Sequence, residues 1–174
     1  VIPHAVGAAE TFVKFTAETG TAASETVNVT VNKEKGDAEV IVGTPTKTAT
    51  AGPADFLYKF SKTEIIYPKS LINLPAGTKI NEIQFFGTHS SKNITFSVDA
   101  WIGNVAAGTA LMGESTEGLT QVADKMTVDH SEAITAENIK SVVTLTFPDG
   151  FVYDGGDIRL FLTSAGTANN STSF

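Results

Sequence analysis

Phe147-Pro-Asp-Gly-Phe-Val-Tyr-Asp-Gly-Gly-Asp-Ile-Arg-Leu-Phe-Leu162 decides how this chain is read. A strand end, an acidic glycine-rich turn and a second apolar strand follow one another within these residues. Glycine supplies positive φ in tight turns, and aspartate bonds to nearby backbone amides. Apolar residues on either side then read as two strands joined through turn chemistry.

Alternation extends outward from that stretch. Val143, Leu145 and Phe147 oppose Thr144 and Thr146. Ile158, Leu160 and Leu162 oppose Arg159, Phe161 and Thr163, with Phe161 breaking the polar side. Ile94, Phe96, Val98, Ala100 and Ile102 oppose Thr95, Ser97, Asp99 and Trp101; Ile83 and Phe85 oppose Glu82 and Gln84; Val27, Val29 and Val31 oppose Asn28, Thr30 and Asn32. A period of two marks strands with one buried face. Shorter strands are expected at Thr11–Thr16, Glu39–Gly43, Phe56–Phe60, Glu64–Tyr67 and Leu119–Ala123. The fold class that follows is all-β: a two-sheet antiparallel β-sandwich, jelly-roll-like. Thr135-Ala-Glu-Asn-Ile-Lys140 is the main helix candidate, as a single turn bridging the two sheets. Pro68–Ile72 is a weaker one.

Composition narrows the partners. Only 18% of the 174 residues are charged, while Thr and Ser number 24 and 12. Such hydroxyl-rich, charge-poor β chains are common outside the cell, and threonine suits a pleated, half-buried surface. The net charge is −7, and Arg159 is the sole arginine. A phosphate backbone requires a basic footprint, so nucleic acid is not an expected partner. With no cysteine, disulfides and thiolate metal sites are excluded. No apolar run approaches the ~20 residues of a membrane-spanning helix.

Two regions carry possible chemistry. Asp149, Asp154 and Asp157, interleaved with Gly150, Gly155 and Gly156, are candidate calcium ligands, because calcium takes carboxylate and carbonyl oxygens from flexible loops. The same residues equally build turns without any metal. Trp101, beside Asp99 on the polar side of its strand, is a candidate ligand platform for a sugar ring or a protein partner. The competing reading covers that face with the second sheet or with the small-residue loop Ala106–Gly118. His4, His89 and His130 are scattered and read as solvated loop residues. Asp129-His-Ser-Glu132 holds triad residue types at a spacing that does not suit triad geometry. No nucleophile elbow, phosphate loop or dinucleotide fingerprint occurs, so the chain is read as non-enzymatic.

A wider set of segments resembles a known group. Val40-Ile-Val-Gly-Thr-Pro-Thr46, Tyr58-Lys-Phe-Ser-Lys-Thr-Glu-Ile-Ile-Tyr-Pro68, Ala76–Phe85, Val98-Asp-Ala-Trp-Ile-Gly-Asn104, Val142–Phe147 and Phe151–Leu160 occur in the order seen in β-sandwich (jelly-roll-like) modules of Bacteroidetes secreted and cell-surface proteins. The resemblance covers roughly residues 38 to 166. It implies an extracellular or cell-surface location and a role in adhesion or ligand binding, and it brings no catalytic residues. Partners would be a glycan, a host or matrix protein, or neighbouring modules of the same surface protein. Residues 1–37 fall outside the pattern, as an N-terminal strand segment or the end of a preceding module. Residues 38–174 are expected to form the sandwich, with the resemblance implying closing strands that are missing or shortened after Phe161. Two alternatives stand beside adhesion. One is a structural subunit of a surface filament or layer, with Thr11–Thr16 or Glu25–Val31 completing a neighbour's sheet. The other is a carbohydrate-binding accessory domain that uses Trp101.

Overall fold

A computed structural model describes residues 2–5, 12–18, 37–42, 53 and 58–166. Val27–Val31, Glu25–Val31 and the first two residues of the Phe56–Phe60 stretch lie outside the described residues.

The described strands are β1 (Ile2–Ala5), β2 (Phe12–Glu18), β3 (Asp37–Val42), β4 (Phe60–Tyr67), β5 (Lys79–Gly87), β6 (Ile94–Val105), β7 (Thr120–His130), β8 (Lys140–Val152) and β9 (Asp157–Gly166), with one short helix, α1 (Lys69–Ile72). They form two sheets, ordered β1-β4-β9-β6-β7 and β3-β2-β5-β8. All pairings are antiparallel except β1 with β4, which is parallel. The architecture is an all-β sandwich. From β4 onward the chain alternates between the sheets except at β6–β7, where residues 106–119 return it to the same sheet. Among the described residues no helix is long and apolar enough to cross a membrane.

The alternating residues fill the interior as their spacing requires. Ile83, Phe85, Val98, Ala100, Ile102, Leu145, Ile158, Leu160 and Leu162 are all at most 1% exposed and belong to one core cluster. At about 25 cal/mol per Å² of apolar surface removed from water, this cluster is the main force holding the sheets together. α1 follows Pro68, whose fixed φ suits a helix entry, and ends at Asn73 in the left-handed region (φ 50°).

Several local expectations are corrected. Thr135–Lys140 is not a helix. It makes one hydrogen-bonded turn, Asn138 N–H to Thr135 O at 2.9 Å, and it does bridge the sheets, between β7 and β8. The helix instead falls in the weaker candidate, Pro68–Ile72. β7 runs on to His130, well beyond Ala123, because Met126 and Val128 continue its inner side against the core. Of the Thr11–Thr16 segment, residues 12–16 fall in β2, which pairs on both sides within its own sheet, with β3 and with β5.

Candidate functional site

The outer face of the five-stranded sheet is the first place where side chains converge. Alternation puts Glu64 of β4, Arg159 and Phe161 of β9, and Trp101 and Asp99 of β6 on that face. Yet Glu64 and Arg159 are fully buried, and Phe161 is 3% exposed. The segment 106–119 explains this, because it folds back over the sheet as a strap. Glu64 accepts Met112 N–H at Oε1 and Gly113 N–H at Oε2, each at 2.7 Å. Arg159 Nε donates to Glu64 Oε1 at 2.7 Å, and its Nη2 donates to the carbonyls of Ser115 (2.7 Å) and Gly113 (3.3 Å). Lys62 and Glu114 add an exposed ion pair along the strap.

Burial works to raise the Glu64 pKa. The Met112 N–H, the Arg159 guanidinium and the Gly113 N–H outweigh it and hold the carboxyl below its usual range. The carboxylate is therefore ionised and accepts three hydrogen bonds. That arrangement anchors the strap, and full burial keeps the group from meeting a ligand in solution.

Trp101 lies at the margin of this covered zone. It is half-buried, and its ring packs against Phe161 with centroids 5.8 Å apart. Asp99 is committed to structure: Oδ1 accepts Lys125 N–H at 2.8 Å, and Oδ2 accepts the Thr163 hydroxyl at 3.2 Å. Asp99 thereby stabilises a bulge in β7, where Lys125 takes φ 46°.

The three acidic-turn residues occupy different surroundings. Asp157 is buried and ties two segments together, accepting Lys69 N–H at Oδ1 and Gly108 N–H at Oδ2, each at 2.8 Å. Asp154 accepts Gly156 N–H at 2.8 Å, closing its own turn, and its backbone N–H donates to Asn104 Oδ1 at 3.1 Å. Tyr153 caps the same turn, its hydroxyl donating to Gly156 O at 2.6 Å. Burial, then the charges of Asp154 and Asp157, pushes that phenol upward. Asp149 is exposed and stands apart in β8. Among the described residues no group of three or more His, Asp or Glu side chains is placed to hold a metal ion.

His89 and His130 depart from the solvated-loop expectation. His89 is 3% exposed, and the two rings approach to 4.9 Å between centroids. His89 Nδ1 lies 2.9 Å from Ser91 O, and His130 Nε2 lies 2.9 Å from Val142 O. Their separation in sequence hid the contact, which the long β7 strand and the His89–Ile134 bridge create.

Alternation gave no sign of a cleft on the seam between β7 and β8, the terminal strands of the two sheets. It has a volume of about 410 Å³. Thr120, Gln121 and Val122 line it from β7, and the Thr146–Val152 segment lines it from β8. Both strands lose regular pairing at this point. Against β6, β7 inserts Val122 as an extra residue between the partners of Trp101 and Ala100. Against β5, β8 advances five residues, Thr146 to Phe151, while β5 advances two, Ile80 to Glu82. Gly150, at φ 72°, makes that excursion possible. Bulges of this kind re-aim side chains and collect beside binding sites. Asp149-Gly150 was readable as a turn signal in sequence, but its position beside β7 was not.

Protein-family models, curated proteins and solved structures contain no match to this chain.

Proposed function

We propose that the chain is a non-catalytic, extracellular surface module that adheres to or captures a ligand, in line with its resemblance to Bacteroidetes surface modules. The observation that carries this reading is the open cleft between β7 and β8. Its volume falls within the range of small-ligand sites, about 300–1,000 Å³, and its lining combines apolar surface with an amide, hydroxyls and a carboxylate. Trp101, the Cα partner of the lining residue Gln121, flanks it on the outer face. The test is a glycan-array and host-matrix binding screen of the purified chain, with and without calcium. Specific capture supports the reading, and a blank from folded protein refutes it.

A second reading, a structural subunit, draws on the opposite side of the sandwich. There β1 is a four-residue strand in parallel register with the edge of β4. An equivalent strand from another copy fits the same edge. Assembly that grows with concentration on size-exclusion chromatography supports this alternative, and a strict monomer argues against it. The seam at β7 and β8 is a poor place for such pairing, because a bulge at Lys125 and an exposed Pro148 interrupt its edges.

A further inference from the structure

We infer that the β7–β8 cleft binds a neutral saccharide of one or two rings, an inference that rests on the binding-module reading above.

Three independent features of the cleft point to this ligand class. The first is where the strands become irregular. The extra residue in β7 and the long excursion in β8 both fall among the lining residues, although they belong to different sheets. Two bulges facing one another across a seam widen it and turn side chains into it.

The second is the chemistry of the lining. Ile102 and Phe147 are buried in the wall, and Phe151, half-buried, packs on Phe147 with ring centroids 6.5 Å apart. Phe151, with half-buried Val122 and exposed Val152, gives an apolar surface suited to the C–H face of a pyranose ring. Gln121 and Asp149 supply an amide and a carboxylate, both exposed at the rim. Adjacent sugar hydroxyls satisfy such groups in pairs, donating to the carboxylate and exchanging bonds with the amide.

The third is charge. Among the described residues, Asp149 is the only ionisable side chain in the lining, which holds no Lys, Arg or His. Lys79 packs its methylenes near Gly150 but does not line the cleft. An anionic ligand such as a phosphate, sialylated or uronic-acid sugar would meet an unpaired carboxylate with no cation to offset it. A neutral sugar meets hydrogen-bonding capacity without that penalty.

This site differs from the one expected around Trp101 and Asp99. Asp99 has both carboxylate oxygens engaged by the protein, whereas Asp149 lines the open cleft and Gln121, which donates one amide N–H to Ala123 O at 3.2 Å, still presents its amide oxygen there.

The experiment is isothermal titration of the full chain with lactose, maltose and cellobiose, and with glucuronate as the anionic comparison. It is repeated on Asp149→Asn, Gln121→Ala and Phe151→Ala, with melting temperatures recorded for each. The expected result is binding of at least one neutral disaccharide, none detectable for glucuronate, and a loss of about tenfold in affinity for Asp149→Asn and Gln121→Ala at unchanged melting temperature. Asp149 and Gln121 are exposed, so these two variants remain informative if Phe151→Ala unfolds. Neutral-sugar binding unaffected by both variants, or glucuronate binding as tight as lactose, overturns the inference. Capture of a matrix protein with no sugar binding also overturns it while leaving the binding-module reading intact. Absence of any binding in the titration and in the wider screen removes both.

Discussion

Arg159 donates through Nε to Glu64 Oε1 at 2.7 Å, and both side chains are fully buried on the outer face of a sheet. An ion pair at that position would ordinarily sit in water and contribute little. Here the 106–119 strap excludes water, and the pair holds the strap through four further hydrogen bonds. The pair thereby converts the part of the outer sheet face around Glu64, Arg159 and Phe161 into a second, smaller interior.

Glu64→Ala removes the acceptor for two strap N–H groups and leaves a buried guanidinium unpaired. A loss of about 3–5 kcal/mol is expected, measured by urea denaturation. Replacing both partners by apolar residues often rescues a buried ion pair. Here Glu64→Leu with Arg159→Met stays destabilised, because the Met112 and Gly113 N–H groups still lack partners. A double variant as stable as the parent would show that the strap does not depend on this pair.

Acid titration separates two windows. Glu64 titrates below its ordinary value near 4.5, so its contribution is complete above that pH and is lost as pH falls through the lower folded-state value. His89 is held below its ordinary 6.5 by burial, with the Ser91 carbonyl opposing and His130 reinforcing the shift. The unfolded chain therefore takes up that proton first. Stability from neutral His89 is full above about pH 6.5 and declines as pH falls through the folded-state value. Melting temperature recorded from pH 8 to pH 5 falls for the parent and changes less for His89→Phe. Equal slopes would contradict the His89 assignment.

Asp157→Asn leaves one of two backbone N–H groups, Lys69 or Gly108, without its acceptor, because an amide offers one oxygen where the carboxylate offers two. The expected cost is about 1–3 kcal/mol, read from the denaturation midpoint and equal in calcium and in EDTA. A penalty seen only in calcium would make Asp157 a metal ligand.

Gly156→Ala tests the turn that the acidic stretch builds. A Cβ there would lie 2.6 Å from Val105 O, a backbone atom that cannot turn aside. Overpacking of this kind costs about 1–3 kcal/mol, and thermal melting reads it directly. A neutral substitution would mean that β6 and the turn separate freely.

How far the fold could be read in advance follows from which forces leave a periodic trace. The inner faces of β5, β6, β8 and β9 were legible because burial on one side imposes a period of two. Arg159 alternates as an outward residue, so periodicity sets it on the polar side of its strand and gives no sign of its burial against Glu64. Phe161 and Trp101, apolar on the polar side, signalled a cover for that face, and of the two covers weighed it is the loop Ala106–Gly118 that supplies it. The acidic stretch was legible as turn chemistry, and Asp154 closing onto Gly156 is that chemistry. The cleft was not legible. It arises from two bulges on strands in different sheets, and register between strands leaves no mark in the order of residues along one of them.

Amide-resolved NMR titration of the isotope-labelled chain with a pool of neutral oligosaccharides released from a host mucin tests the binding claim most directly. The account predicts shift changes concentrated at 120–122 and 146–152, the two walls of the cleft. Changes centred instead on Trp101 and Phe161, on the β1–β4 edge, or nowhere in the folded chain would contradict it.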